Sequence, residues 1–267
     1  MNKLEKQMVE ILLDLKKNYH VTGVKAEFEA EGTRLEEAMR LKDVVSNAGL
    51  GLNIKIGGAE AIKDMFDSQS IGAERIIAPM VETPYALKKY IGAAKIAYND
   101  EIGSVKLLIN IETITACENF EKMLLIPEIK YLNGIVIGRV DLTGSLGLTR
   151  EHVNSQQILD LSLRAATLAK KHGLKVVVGG GVSVHSKDFF RAFPEGHLDR
   201  FETRKVIFNC PDALNNPEEA FLRAVEFEIL WLKNKKNYYS GIAKEDDARI
   251  TMMEERYKKS IELVGKK

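Results

Sequence analysis

Apolar positions along the chain follow two rhythms that take turns. Leu4, Met8, Ile11, Leu12 and Leu15 recur at helical spacing and predict a first helix. After it, short apolar runs alternate with amphipathic stretches. Runs at residues 21–28, 52–56, 75–80, 105–111, 134–137, 174–178 and 201–208 predict strands, and stretches at 35–46, 60–67, 85–98, 115–125, 155–172 and 187–193 predict helices. Thr83 and Pro84 supply an N-cap and a first helical residue to the helix at 85–98. Gly173 closes the helix at 155–172 as a C-cap. One strand and one helix in each stretch of about 25–30 residues argue for a parallel sheet.

Seven strands are clear, and an eighth is expected near residues 17–20 or is lost. The fold class is α/β, a TIM-type (β/α)8 barrel that lacks or modifies one strand and carries extra C-terminal helices. A barrel is preferred to a doubly wound sheet because polar residues stand at strand ends along the whole chain: Glu29, Lys55, Glu82, Glu112, Asp141 and Arg204, with Gly180 after the sixth run. From Asn216 the chain reads as helix only. Asn216 caps, Pro217 starts, and Glu218 and Glu219 suit the dipole. A break is expected at 237–241, with a last helix at 246–263. The organisation is one domain, 1–267, with the barrel at 1–212 and a helical extension at 213–267. That extension reads either as an eighth barrel helix with a cap or as an arm that packs on a neighbouring subunit.

Composition narrows the partners. Of 267 residues, 39 are basic and 38 acidic, a net charge of +1, which favours neither nucleic acid nor a membrane surface. Hydrophobic residues at 45% are enough for a sizeable core. The two cysteines, Cys117 and Cys210, fall in no metal or disulfide spacing, so a reducing cytoplasm is expected. No apolar run reaches the ~18–20 residues of a membrane span.

The strongest chemical signal is a pair of acids. Glu112 ends the strand Leu107-Leu108-Ile109-Asn110-Ile111, and Asp141 follows Ile135-Val136-Ile137-Gly138 one strand–helix unit later. Neighbouring strands lie ~4.8 Å apart, so both carboxylates are expected at one mouth, within reach of one ion. Carboxylates with open positions left for water or substrate oxygens suit Mg²⁺ or Mn²⁺. Otherwise Glu112 caps a helix and Asp141 is a turn residue. Asn110 shares the side of its strand with Glu112 and could touch water on the ion.

Two stretches share one form, apolar strand then acid then threonine, at Ile77-Ala78-Pro79-Met80-Val81-Glu82-Thr83 and Ile109-Asn110-Ile111-Glu112-Thr113, and a polar, glycine-rich loop follows a buried strand at Gly138-Arg139-Val140-Asp141-Leu142-Thr143-Gly144-Ser145-Leu146-Gly147. In this order and spacing the chain resembles the HpcH/HpaI aldolase/citrate lyase family, from about residue 21 to 181. The resemblance implies a modified TIM barrel, an oligomer with C-terminal helices exchanged between subunits, and Mg²⁺ or a similar ion held by Glu112 and Asp141. It also implies a pyruvate-, oxaloacetate- or acyl-thioester-type substrate that reacts through a metal-stabilised enolate. The family's acid–His pair matches Glu29 and Ala30, so the histidine is replaced by alanine. Its strand arginine matches Lys55, which keeps the charge and loses the fork. Arg139 stands where proline is usual and could supply the missing guanidinium.

The expected assignment follows. Glu112 and Asp141 bind the ion. Lys55, Arg139 and Glu29 are catalytic, with Glu29 or water moving the proton. Asn110, Gly138, Gly180 and Arg204 touch the substrate. Glu82 is expected to position water, act as a base or form a salt bridge. Lys25, Lys55 and Lys205 are alternatives for a Schiff base. The activity expected is a metal-dependent carbon–carbon lyase on a small 2-oxo acid, in a cytoplasmic homo-oligomer. Alternatives are a condensing synthase that uses phosphoenolpyruvate, oxaloacetate or an acyl thioester, and a non-catalytic barrel that binds a metabolite.

Overall fold

The computed structural model describes residues 1–264, with side chains to 262. Eight strands close a barrel in sequence order. They are β1 (Val21–Glu27), β2 (Gly51–Lys55), β3 (Arg75–Ala78), β4 (Lys106–Ile111), β5 (Leu132–Gly138), β6 (Lys175–Gly179), β7 (Arg200–Glu202) and β8 (Val206–Asn209). Strands β1 to β7 run parallel, and β8 pairs antiparallel with both β7 and β1.

The eighth strand is therefore not where the sequence suggested. Residues 17–20 are the end of helix α1 (Lys3–Tyr19), capped by His20 in the left-handed region. The run at 201–208 is instead two short strands joined by a turn. In that turn the Thr203 N–H donates to Val206 O at 2.9 Å, and Val206 N–H donates to Thr203 Oγ1 at 3.0 Å. Arg204 and Lys205 sit at its centre. A single apolar run folded back on itself has no periodicity to betray the reversal, and this turn lacks the glycine or asparagine that usually marks one.

Helices α2 (Leu35–Asn47), α3 (Ile62–Ser70), α4 (Pro84–Tyr98), α5 (Ile114–Met123), α6 (Arg139–Ser145), α7 (Gln156–Lys171) and α8 (Lys187–Arg191) follow the strands. Thr83 and Thr113 cap α4 and α5 in the same way, each hydroxyl accepting from the backbone N–H three residues on at 3.1 Å. The loop expected at 138–147 holds α6, and a 3-10 turn follows at Arg150–Asn154.

Apolar burial falls into two compartments. The main core lies between strands and helices. A separate small cluster, Ile77, Leu108, Val136 and Val177, fills the barrel's lumen. Strand alternation then sends the neighbours of these residues two positions on, such as Asn110 and Gly138, towards the mouth.

The C-terminus also departs from expectation. One helix, α9 (Pro217–Val264), runs for 48 residues without a break at 237–241. Gly241 alone costs a helix about 1 kcal/mol relative to alanine, and no proline reinforces it. Just before it, Tyr239 bonds to Glu37 and lies under Arg34, with the guanidinium 4.7 Å from the ring centre. Phe221, Phe227 and Trp231 bury one face of α9 against the barrel, whereas residues 241–262 are all exposed. Among the described residues, no helix is long and apolar enough to cross a membrane.

Candidate active site

The mouth is built from the carboxyl ends of β1, β2, β4, β5 and β7, and charged side chains reach into the lumen. Lys25 bonds Glu202 at 2.6 Å and Glu27 at 3.1 Å. Lys55 lies 2.8 Å from Glu29 and 3.4 Å from Glu112. Burial pushes both ammonium groups down, but the acids beside them outweigh it and hold each above the ordinary lysine range. Lys205 is buried and paired with Glu31; burial dominates there and lowers its pKa.

Glu112 is the most constrained of the acids. Its Oε1 accepts the Met80 N–H at 3.0 Å and its Oε2 accepts Asn110 Nδ2 at 2.6 Å. Only 1% of its surface is exposed. Burial raises its pKa; Lys55, the Met80 N–H and Asn110 pull it back, and the charge of Asp141 pushes it up again, leaving it raised. Two backbone features make room for this carboxylate. Met80 takes a φ of +51°, a conformation non-glycine residues rarely adopt. Gly138 has no side chain where a Cβ would meet Glu112 Cβ at 2.8 Å and Oε2 at 2.9 Å.

Asp141 stands in the first turn of α6, exposed, and lines two cavities. The larger, 660 Å³, opens over Lys25, Lys55 and Glu29. The smaller, 470 Å³, lies between Met80, Thr113, Ser145 and Leu148. Among the described residues Asn110 Oδ1, buried beside Glu112, has no hydrogen-bond partner.

Of the expected residues, Lys55, Glu29, Asn110, Gly138 and Glu112 are drawn together. Gly180 and Arg204 line the larger cavity with Asp141. Arg139 is not brought to the mouth. Its buried guanidinium donates to Asn154 Oδ1 at 2.6 Å, Gly179 O at 3.2 Å and Ser186 Oγ at 3.3 Å, and it stacks 4.6 Å from the Phe189 ring centre. It braces the loop after β6, because a guanidinium at the start of α6 finds those acceptors on the side away from the mouth. Glu82 accepts the Thr113 hydroxyl and so ties two helix caps together. Sequence reading missed Arg150, which lines both cavities, and Met80, whose backbone N–H holds Glu112. Residues reached through a turn or through the backbone leave no spacing to detect.

This is the architecture of a barrel enzyme with an acidic mouth, and relatives make the class specific. The profile of the HpcH/HpaI aldolase/citrate lyase family matches residues 35–188, and the chain belongs to that family. The 2-keto-3-deoxy-L-rhamnonate aldolase of Shigella dysenteriae serotype 1 (strain Sd197) is 27% identical over 133 residues, covering 40% of this chain and 48% of that protein. The chain thus spans about half the length of the curated relatives it matches. The HpcH/HpaI aldolase of Desulfitobacterium hafniense DCB-2 superposes with a TM-score of 0.60 at 14% identity, over 76% of this chain and 82% of the other. Citrate synthase SbnG does so with a TM-score of 0.60 at 14% identity, over 86% and 90%. At that identity the two structures speak for the fold.

Proposed function

We propose that this chain is a divalent-metal-dependent carbon–carbon lyase that acts on a small 2-oxo acid of the pyruvate or oxaloacetate type through an enolate. The observation that carries the reading is the pairing of buried Glu112 with exposed Asp141 at one mouth. No group of three or more His, Cys, Asp or Glu able to hold a metal occurs among the described residues. Mg²⁺ needs none, since it keeps waters and substrate oxygens beside one or two carboxylates. The donor set fits such an ion: two hard oxygen ligands, and an orphaned Asn110 Oδ1 placed to accept from a water beside them. When bound, Mg²⁺, or Mn²⁺ in its place, supplies a Lewis acid to the developing enolate charge.

The chain's own residues do the rest. Lys55, held protonated, is a fixed positive charge for the substrate carboxylate. Glu29, 2.8 Å from Lys55 and open to the cavity, takes and returns the proton at the carbon next to the carbonyl. A Schiff base is disfavoured, because their acids hold Lys25 and Lys55 protonated, and Lys205, although burial lowers it, is tied to Glu31 rather than turned to the cavity. A condensing reaction would share the enolate and change only the electrophile, and a 660 Å³ cavity exceeds what a three-carbon acid fills.

We extend the proposal to assembly and setting. The exposed Ile242, Ile250, Met253, Tyr257 and Ile261 share one face of α9 beyond the barrel, and a second copy of this chain would cover it. Truncation after Ser240 should lower the mass seen in solution by light scattering; an unchanged mass would reject the arm's role. Neither nucleic acid nor membrane figures as a partner, and free Cys117 and Cys210 suit a reducing cytoplasm.

The decisive assay is exchange of pyruvate's methyl protons in D₂O, followed by NMR, with Mg²⁺ or Mn²⁺ and then with a chelator. Exchange that the chelator stops is expected. Bound pyruvate with no exchange would overturn the reading in favour of a metabolite-binding barrel.

A further inference from the structure

The larger cavity has an outer half that the reaction above does not use. It is lined by the loop after β6, the turn between β7 and β8, the start of the 3-10 turn after α6, and α9. Two guanidiniums look into it from different elements. Arg150 makes no side-chain hydrogen bond or ion pair among the described residues. Among the described residues Arg204 has only Glu31 at 4.0 Å, and Glu31 is already held by buried Lys205. Both arginines are exposed. Ser183 lines the same cavity; its Oγ accepts the His185 N–H at 3.3 Å and keeps its own proton free to donate. Gly180 and Gly181, at φ +78° and +64°, let the chain at the cavity's edge pack closely on α6, where a Cβ on Gly180 would meet Arg139 N and Val140 N at 2.8 Å.

Of the acids nearby, Asp141 lines the same cavity and is assigned above to the metal, and the rest are already paired or set back. Glu27 and Glu202 are bound to Lys25, and Glu29 to Lys55. Glu228, on α9, faces the same space and would push an anion away from the helix, towards the rim. Leu222 and Val225 beside it offer an apolar wall to a carbon chain.

We propose that this outer half is the subsite for the second, carbonyl-bearing substrate, and that the substrate ends in a phosphate monoester bound by Arg150, Arg204 and Ser183. This rests on the lyase reading and names the substrate class for it. A phosphate monoester carries about −1.5 to −2 charges and three acceptor oxygens, which matches two guanidinium forks and a hydroxyl. A terminal carboxylate has two oxygens and is satisfied by one fork. In the condensing direction the enolate carbon forms the bond to the aldehyde carbon, the carbonyl electron pair moves to its oxygen, and that oxygen takes a proton. The phosphate ester stays intact, and no electrons are gained or lost overall.

The test has two arms. In the first, pyruvate is condensed with glyceraldehyde 3-phosphate, with glyceraldehyde and with succinic semialdehyde. The phosphorylated aldehyde should be preferred at least tenfold in kcat/KM, the amount one charge-assisted hydrogen bond gives, and Arg150→Ala or Arg204→Ala should reduce that preference about tenfold. Equal use of glyceraldehyde, or preference for the carboxylate-ended aldehyde, overturns the proposal. In the second arm, binding of inorganic phosphate is measured by calorimetry with no carbonyl substrate present. The intact chain should bind it, and the double variant Arg150→Ala/Arg204→Ala should lose at least tenfold in affinity. Equal affinity overturns the proposal. Failure of pyruvate exchange would sink the lyase reading alone, because the phosphate arm is independent of turnover.

Discussion

Replacing Gly138 by alanine would put a methyl carbon 2.8 Å from Glu112 Cβ and 2.9 Å from its Oε2. Neither distance is tolerable, and one neighbour has to move. The β5 backbone is held in register by β4 and β6 on either side, so the carboxylate gives way. Its bonds from Met80 N–H and Asn110 Nδ2 then lengthen. Overpacking of this kind destabilises by about 1–3 kcal/mol, and disturbing the support of a metal ligand typically lowers affinity about 10–100-fold. Gly134, four residues earlier on the same face of the strand, is the control. A Cβ there meets the backbone oxygen of Lys175 at 2.7 Å, far from any acid of the mouth. Gly134→Ala should therefore destabilise the fold without a matching loss of metal affinity. The assay is Mn²⁺ titration by calorimetry beside urea unfolding of both variants. If Gly138→Ala binds Mn²⁺ as the parent does while folded, the argument that Gly138 makes room for a ligand carboxylate fails.

Other outcomes follow from the same geometry. Asp141→Asn, exposed on α6, should stay folded and lose most of its affinity for Mg²⁺ or Mn²⁺; calorimetry with normal binding would reject the assignment. Lys55→Met leaves Glu29 and Glu112 without the cation between them and should cost about 3 kcal/mol in chemical denaturation; an unchanged midpoint would show that the buried charge is satisfied elsewhere. The root of α9 should be acid-sensitive. Glu5 and Glu37 are held below the ordinary carboxylate value of 4.5: burial opposes this, but hydrogen bonds from Asn2, Arg40 and Asn234, and from Tyr239 and Lys235, prevail. Their stabilisation is complete above pH 4.5 and is lost as pH falls through the lower folded values. Fluorescence of Trp231, the only tryptophan, should shift to the red below that pH; a flat response to acid would separate the clasp from its carboxylates.

Much of the barrel was legible because strands β1 to β6 are apolar runs bounded by amphipathic helices, and one period follows the other cleanly. The misreadings share one physical cause: the local pattern was silent about a tertiary event. At 201–208 an unbroken apolar run hides a hairpin. At 237–241 a glycine and two tyrosines look like a break, yet Tyr239 is tied to Glu37. Arg139 is the second residue of the motif Gly-Arg-Val-Asp, and which way its side chain turns is decided by acceptors on residues 154, 179 and 186. The acids Glu112 and Asp141 were visible because strand-end position is a property of sequence. Arg150 was not, because it reaches the mouth by way of α6 and a 3-10 turn.

Charge in the lumen finally bears on the order in which ligands bind. Glu27, Glu29, Glu31, Glu112 and Glu202 face three buried lysines, Lys25, Lys55 and Lys205, and Asp141 has no ion-pair partner among the described residues. Arg204 approaches Glu31 at 4.0 Å. The inner mouth therefore carries more negative than positive charge, and a 2-oxo acid brings another carboxylate into it. A divalent cation reverses that balance, so pyruvate should bind weakly before the metal and tightly after it. Coupling is reciprocal: whatever factor Mg²⁺ adds to pyruvate's affinity, pyruvate must add to that of Mg²⁺. Couplings between sites are commonly about 5–150-fold, and direct contact favours the upper part of that range. Calorimetric titration of Mn²⁺ with and without saturating pyruvate, and of pyruvate with and without a chelator, measures both sides of the cycle. Pyruvate that binds equally well in the chelator would mean that Lys55 alone neutralises the substrate, and that Glu112 and Asp141 serve the barrel rather than an ion.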